Sequence, residues 1–275
     1  GVSARLAEYD RRVMEYEARL ARGRDGLHLR YFQYLALLYT EIYLDLLTTD
    51  PAGLLGRVNA YLASLQGTET HLRDIPPFAP DDLRRLAFFM ATGSGKTLLM
   101  HAHLWQVLYY LQHGRHPDAL VQRADGRHEF QNILLITPGE GLSAQHLEEL
   151  RRSGIQADHL SKRQQGQASL GLWVWVVEIH KLAEEVSGDG VSIALESLGD
   201  ANLVLVDEGH KGTGSEAQTW KNRQKALSSQ GFLLEYSATF AQAIGAARAK
   251  DAQGLLAEYG RAILFDYSYR HFHDD

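Results

Sequence analysis

The sequence predicts an α/β fold, a parallel β-sheet lying between helices and preceded by a small helical N-terminal region. Three observations carry that expectation. From about residue 84, short apolar runs alternate with amphipathic stretches, the pattern of strands buried on both faces and covered by helices. A glycine-rich loop ending in Gly95-Lys96-Thr97 joins one such run to a helical stretch. Residues 1 to about 70 lack the short runs and instead place apolar residues at helical spacing.

Taken in order, Leu6, Val13, Tyr16 and Leu20 mark a first helix among many Arg and Glu residues. Leu35, Leu38, Ile42, Leu46 and Leu47 mark a second, and Asp50-Pro51 ends it. Leu54, Leu55, Val58, Leu62 and Leu65 predict a third. The segment Ile75-Pro76-Pro77-Phe78-Ala79-Pro80 reads as a rigid linker and divides a helical region, 1–75, from an α/β domain, 76–275. Strands are expected at Leu86–Met90, Ile133–Ile136, Leu172–Val177, Leu203–Val206, Phe232–Leu234 and Ala262–Phe265. Helices are expected at Lys96–Leu111, Leu142–Arg152, Ile179–Glu185 and Ala217–Leu227, with an exposed polar loop from Gly114 to Glu129.

Composition narrows the class. With no cysteine, disulfides and zinc–thiolate sites are excluded, which fits a reducing cytoplasm. The longest apolar stretch, Tyr31 to Leu47, is interrupted by Gln33, Thr40, Glu41 and Asp45, so no membrane span is expected. The chain opens Gly-Val-Ser, without a signal pattern, as expected of a trimmed chain. A formal net charge of −6 gives no compositional support for nucleic-acid binding. The motifs must supply that argument.

Met90-Ala91-Thr92-Gly93-Ser94-Gly95-Lys96-Thr97 directly follows an apolar strand and opens a helix, the setting a phosphate loop requires. Gly93 and Gly95 let the backbone curl so that N–H groups around Thr92 and Ser94 face a phosphate, and the helix adds its positive end. Lys96 is expected to reach the β and γ phosphates of ATP, and the Thr97 hydroxyl to ligate Mg²⁺. Met90 stands where the general consensus has its first glycine. The bland alternative is a glycine-rich turn with a surface lysine.

Leu203–Val206 runs into Asp207-Glu208-Gly209-His210. Carboxylates at the C-terminal end of a buried strand stand on the face where α/β sheets bind ligands. Asp207 is expected to hold Mg²⁺ through water and Glu208 to orient the attacking water. His210 would contact the γ-phosphate side or the Ser-Ala-Thr motif below. Read alone, the pair is equally an acidic helix cap. Further on, Tyr236-Ser237-Ala238-Thr239 ends another strand, and the hydroxyls of Ser237 and Thr239 suit hydrogen bonds to carboxylates and imidazoles.

The ordered set ATGSGKT, DEGH and SAT resembles superfamily 2 helicases and translocases, and its wording is most similar to the ATPase subunit of type III restriction enzymes and related bacterial defence proteins. That resemblance implies a RecA-like P-loop domain using ATP and Mg²⁺, acting on double- or single-stranded DNA, with RNA the lesser alternative. It implies that Ser237 and Thr239 couple hydrolysis to movement. It also implies a second RecA-like domain outside these residues, and a methylase or other defence subunit as partner. The segment Ile136-Thr137-Pro138-Gly139 through Gln145-His146 resembles one in which backbone amides and a Thr touch a nucleic-acid phosphate. Val176 to Lys181 falls where another contact motif lies, with Glu178 in place of the usual Thr. Leu29-Arg30-Tyr31-Phe32-Gln33 resembles the element whose Gln reads adenine, although in most relatives that Gln lies much nearer the phosphate loop; Gln33 as a plain helix residue is the alternative. Phe265 to Tyr269 looks like the segment that leaves the first RecA-like domain. Competing functions are a P-loop kinase, which would give the Ser-Ala-Thr motif no role, and a P-loop switch or scaffold ATPase that signals to a partner subunit through the N-terminal helices.

Overall fold

A computed structural model describes residues 2–69, 72–161, 173–183, 192–207, 215–237 and 263–267. In chain order the elements are α1 (Val2–Ala21), α2 (Tyr31–Thr49), α3 (Pro51–Gln66), β1 (Arg85–Met90), α4 (Lys96–His113), β2 (Ile133–Thr137) and α5 (Glu140–Arg152). There follow β3 (Gln156–His159), β4 (Trp173–Glu178), β5 (Leu182–Ala183), β6 (Ile193–Ala194), β7 (Leu203–Asp207), α6 (Ser215–Ser228), β8 (Phe232–Ser237) and β9 (Ile263–Tyr267).

Among the described residues, seven strands form one sheet in the order β3-β4-β2-β7-β8-β1-β9, every pairing parallel. This is the α/β, RecA-like arrangement expected, with helices on both faces. Strand alternation sorts the side chains. Leu135 of β2, Val174 and Val176 of β4, and Leu203 and Leu205 of β7 enter one core with α1, α2, α4 and α5. Their neighbours Leu134, Ile136, Trp175, Val177, Val204 and Val206 enter a second core, with Leu198 and Leu227, on the opposite face. Each fully buried Val or Leu contributes about 1.5–3 kcal/mol, and a sheet covered on both faces explains the uninterrupted apolar runs.

The N-terminal helices share the first core. Phe32, Ala36, Leu37, Leu44 and Leu47 of α2 pack with Leu99, Leu104 and Val107 of α4. A buried polar cluster pins this contact. Arg12 Nε donates to Glu41 Oε2 at 2.8 Å, Tyr110 Oη donates to the same oxygen at 2.8 Å, and Gln106 Nε2 donates to Glu41 Oε1 at 2.9 Å. Glu41 is fully buried, so these three donors offset a desolvation cost that would otherwise be several kcal/mol. Asp50 ends α2 and caps α3, its carboxylate accepting from Gly53 N at 2.9 Å ahead of Pro51 at the first helical position.

Two expectations fail. Over its described residues, 179–183, the helix predicted at Ile179–Glu185 is one 3₁₀ turn, Ile179–Lys181, that runs into β5 paired parallel with β6; residues 184 and 185 lie outside the described residues. Ile179 and Leu182, three residues apart, both reach the core in that single turn, so their spacing mimicked a helix. The short edge strand β3 was missed because only Ala157 of its four residues is buried. No helix among the described residues is long and apolar enough to cross a membrane.

Candidate active site

The parallel sheet brings the C-terminal ends of β1, β8 and β7 to one edge. Phe89 pairs with Ser237, and Asp207 pairs with Tyr236. With β8 between them, β1 and β7 stand about 10 Å apart, the span of two strand spacings.

At the end of β1 the chain turns at Ala91–Gly95 and enters α4. Gly93 and Gly95 have φ of 82° and 84°, in the left-handed region where a side chain is costly. A Cβ on Gly93 would meet open space, so the loop there faces outward. A Cβ on Gly95 would stand 2.4 Å from Nε2 of Gln33. Lys96 opens the helix, whose first amides lack intrahelical partners and carry the positive end of its dipole. The Lys96 ammonium folds back on the loop, donating to the Met90 carbonyl at 3.0 Å. Thr97 lies half-buried in the same first turn. The Ser94 hydroxyl is buried with no hydrogen-bond partner. An unsatisfied buried hydroxyl costs about 1–3 kcal/mol, and here it lies within a curled, cation-bearing loop. These features fit a bound phosphate chain.

Gln33 meets this loop. Its Nε2 donates to the Ser94 carbonyl at 2.7 Å, and its Oε1 accepts from Arg30 N at 2.9 Å. The amide is thus fixed at both ends at the start of α2. Phe32 beside it stacks on Tyr267 of β9, centroids 4.0 Å apart. Gln33 is therefore a buried amide bonded to the loop.

Asp207 ends β7 and is 7% exposed. Its Oδ2 accepts a hydrogen bond from Nε2 of His146 at 2.8 Å. Next to it, Tyr236 is fully buried, and burial together with the Asp207 charge raises its phenol well above the ordinary range. The Tyr236 hydroxyl lies 2.8 Å from Nδ1 of His103 on α4. Among the described residues, no group of three or more His, Asp and Glu forms a ready metal cage. Mg²⁺ in phosphoryl-transfer sites needs none, since one or two side chains, substrate phosphates and waters complete its shell. Asp207 and Thr97 suit that pattern. Ser237 is buried at the end of β8, one strand from the phosphate loop. Glu208, His210 and Thr239 lie outside the described residues.

The segment likened to a nucleic-acid contact is turned partly inward. Thr137 Oγ1 is buried against Ser143 Oγ at 2.6 Å, and His146 is 1% exposed. Glu140, Gly141, Ala144 and Gln145 are the exposed residues of that stretch. Glu178 is also buried, in an ion pair with Lys181. Burial alone would raise its carboxyl, but the Lys181 ammonium and the nearby Ser143 hydroxyl bring it below the usual range. A buried, paired carboxylate is not a phosphate contact. The role of His146 toward Asp207 was missed from sequence. Its signal is the stripe Ser143, His146, Leu147 and Leu150, which marks the inner face of α5.

The family described as "Type III restriction enzyme, res subunit" matches residues 57–242. No curated protein matches the chain. Among solved structures, the helicase domain of Hef from Pyrococcus furiosus is similar at 13% identity with a TM-score of 0.37. That match covers 74% of this chain and 37% of the other.

Proposed function

Because the chain belongs to the type III restriction enzyme res-subunit family, we propose that it is the ATP-binding motor domain of a superfamily 2 helicase or translocase. In this reading it hydrolyses ATP to drive movement on DNA in a bacterial restriction or phage-defence system. The observation that carries the reading is the meeting of Gln33 with the Gly93–Thr97 loop on the edge where β7 presents Asp207. A kinase or a simple switch needs the loop but gives a remote adenine-reading amide and a Ser-Ala-Thr motif no shared purpose.

The residues divide the work. Backbone amides of the loop and the helix end bind phosphate oxygens. Lys96 leaves its resting bonds to the loop carbonyls and neutralises β- and γ-phosphate charge. Thr97 and Asp207 hold Mg²⁺, which supplies charge neutralisation on the transferred group. Glu208 orients water, His210 stands toward the γ-phosphate, and Ser237 and Thr239 relay the state of the site. A second RecA-like domain outside residues 1–275 would supply arginines worth about 10³–10⁵ in rate, so residues 1–275 alone should hydrolyse ATP slowly. A methylase or other defence subunit would complete the assembly.

The test is ATP hydrolysis with and without duplex or single-stranded DNA, in the protein joined to its second RecA-like domain. DNA-stimulated turnover supports a motor. Turnover indifferent to every nucleic acid, with tight nucleotide-dependent binding to a partner subunit, would favour a switch.

A further inference from the structure

We propose that His146 is a positioning residue for Asp207, fixing the carboxylate that holds Mg²⁺ and tying it mechanically to α5. The proposal rests on the reading of Asp207 as a magnesium ligand.

The geometry is specific. A carboxylate only accepts hydrogen bonds, so the 2.8 Å contact has His146 Nε2–H donating to Asp207 Oδ2. Donor and acceptor are both buried, at 1% and 7% exposure, where water cannot substitute for the bond. One carboxylate oxygen is thereby occupied, and the side chain is held in one rotamer. The other oxygen remains for a cation or its water. Groups that orient metal ligands in this way affect metal affinity or activity by about 10–100-fold when removed.

The imidazole is itself held. Leu147 and Leu150 anchor α5 in the first core. At its N-terminal end, Ser143 bonds Thr137 at 2.6 Å. At its C-terminal end, Ser153 bonds both Nδ1 of His101, at 2.8 Å, and Arg24 Nη1, at 3.0 Å. Arg24 also donates to Glu149 Oε2 at 2.5 Å. His146 therefore cannot follow Asp207 if the carboxylate turns; the carboxylate must follow α5. The exposed residues of its first turns, Glu140, Gly141, Ala144 and Gln145, belong to the segment likened to a nucleic-acid contact. A displacement of α5 by a ligand on that side would reach the magnesium ligand through a single hydrogen bond.

Two amide variants isolate this role. A glutamine places its NH₂ near the position of Nε2, whereas an asparagine is too short to reach Asp207. Binding of a fluorescent ATP analogue would be titrated with MgCl₂, and repeated in excess EDTA. For His146→Asn, the Mg²⁺ concentration giving half-maximal nucleotide binding should rise about 10–100-fold, with binding in EDTA unchanged. His146→Gln should recover most of that loss. Equal Mg²⁺ dependence in wild type and both variants would overturn the proposal. So would a loss of binding that is the same with and without Mg²⁺ and tracks a lowered Tm, since that is packing alone. Asp207→Asn separates the two readings. If it shifts the Mg²⁺ dependence while His146→Asn does not, only the positioning role falls. If nucleotide binding ignores Mg²⁺ even in the wild type, the nucleotide-site reading falls with it.

Discussion

Gln33 Nε2 donates to the carbonyl of Ser94 at 2.7 Å although 61 residues separate the two. The amide oxygen is meanwhile held by Arg30 N, so the side chain bridges the entrance of α2 and the phosphate loop. If this amide also reads adenine, Gln33→Leu should weaken ATP binding by about 3–10-fold, the worth of one neutral hydrogen bond, and should erase the preference of ATP over GTP. Competition titrations of both nucleotides measure this. An unchanged preference would leave Gln33 as a brace of the loop and nothing more.

Lys96 carries the cation of the loop, resting at 3.0 Å from the Met90 carbonyl. Hydrogen bonds to charged groups are worth about 1.5–3 kcal/mol, so Lys96→Ala should lower ATP affinity roughly 10–150-fold and stop turnover. Calorimetric titration and a phosphate-release assay measure the two effects. Wild-type affinity and turnover together would remove Lys96 from the site.

Glu208 directly follows Asp207, the residue proposed to hold Mg²⁺. If it positions water, Glu208→Gln keeps the shape of the side chain but cannot accept the proton. Nucleotide binding should survive and hydrolysis should fall by about 10²–10⁴, the usual contribution of a general base. Loss of binding and of folding together would instead mark a structural carboxylate.

The sheet was legible because both of its faces are buried. Leu203–Val206 and Ile133–Ile136 could be read as strands from uninterrupted apolar residues, and the loop at Gly93–Thr97 from its setting between a strand and a helix. What sequence could not give is proximity across the fold. The bond between Gln33 and Ser94 depends on α2 packing over α4 and β9, and nothing local to Gln33 reports it. His146 lies in a stretch likened to a nucleic-acid contact, but the helical stripe it shares with Leu147 and Leu150 turns it inward to Asp207. The helix misread at Ile179–Glu185 arose because two core contacts three residues apart satisfy both a helix and a single 3₁₀ turn.

Ser237 stands at the end of β8, between the strand of Asp207 and the strand that feeds the phosphate loop. That placement suits a relay. Replacing Ser237 and Thr239 with Ala should reduce DNA-driven movement by more than it reduces basal ATP hydrolysis. A strand-displacement or translocation assay run beside ATPase measurements gives the ratio. An equal loss of both would mean that the hydroxyls support only the fold.

His101 and His103 of α4 are fully buried, and burial lowers each ring to about 3, with His146 and Arg24 adding to the effect at His101. Each is used as a neutral ring. His101 bonds Ser153 at 2.8 Å, and His103 bonds Tyr236 at 2.8 Å while stacking on Phe88. In the unfolded chain both titrate near 6.5. The folded values lie below the unfolded ones, so the stability is fully present above about pH 6.5 and is lost as the pH falls toward 3. Between those limits the unfolded state takes up protons that the native state refuses, at about 1.4 kcal/mol per pH unit for each ring. Urea unfolding above and below pH 6.5 should therefore show a steep decline on the acid side. Replacing both rings with Gln should lower stability at neutral pH, because the stacking and packing are lost, yet flatten the acid slope. A double variant that declines as steeply as the wild type would place the acid sensitivity in other groups.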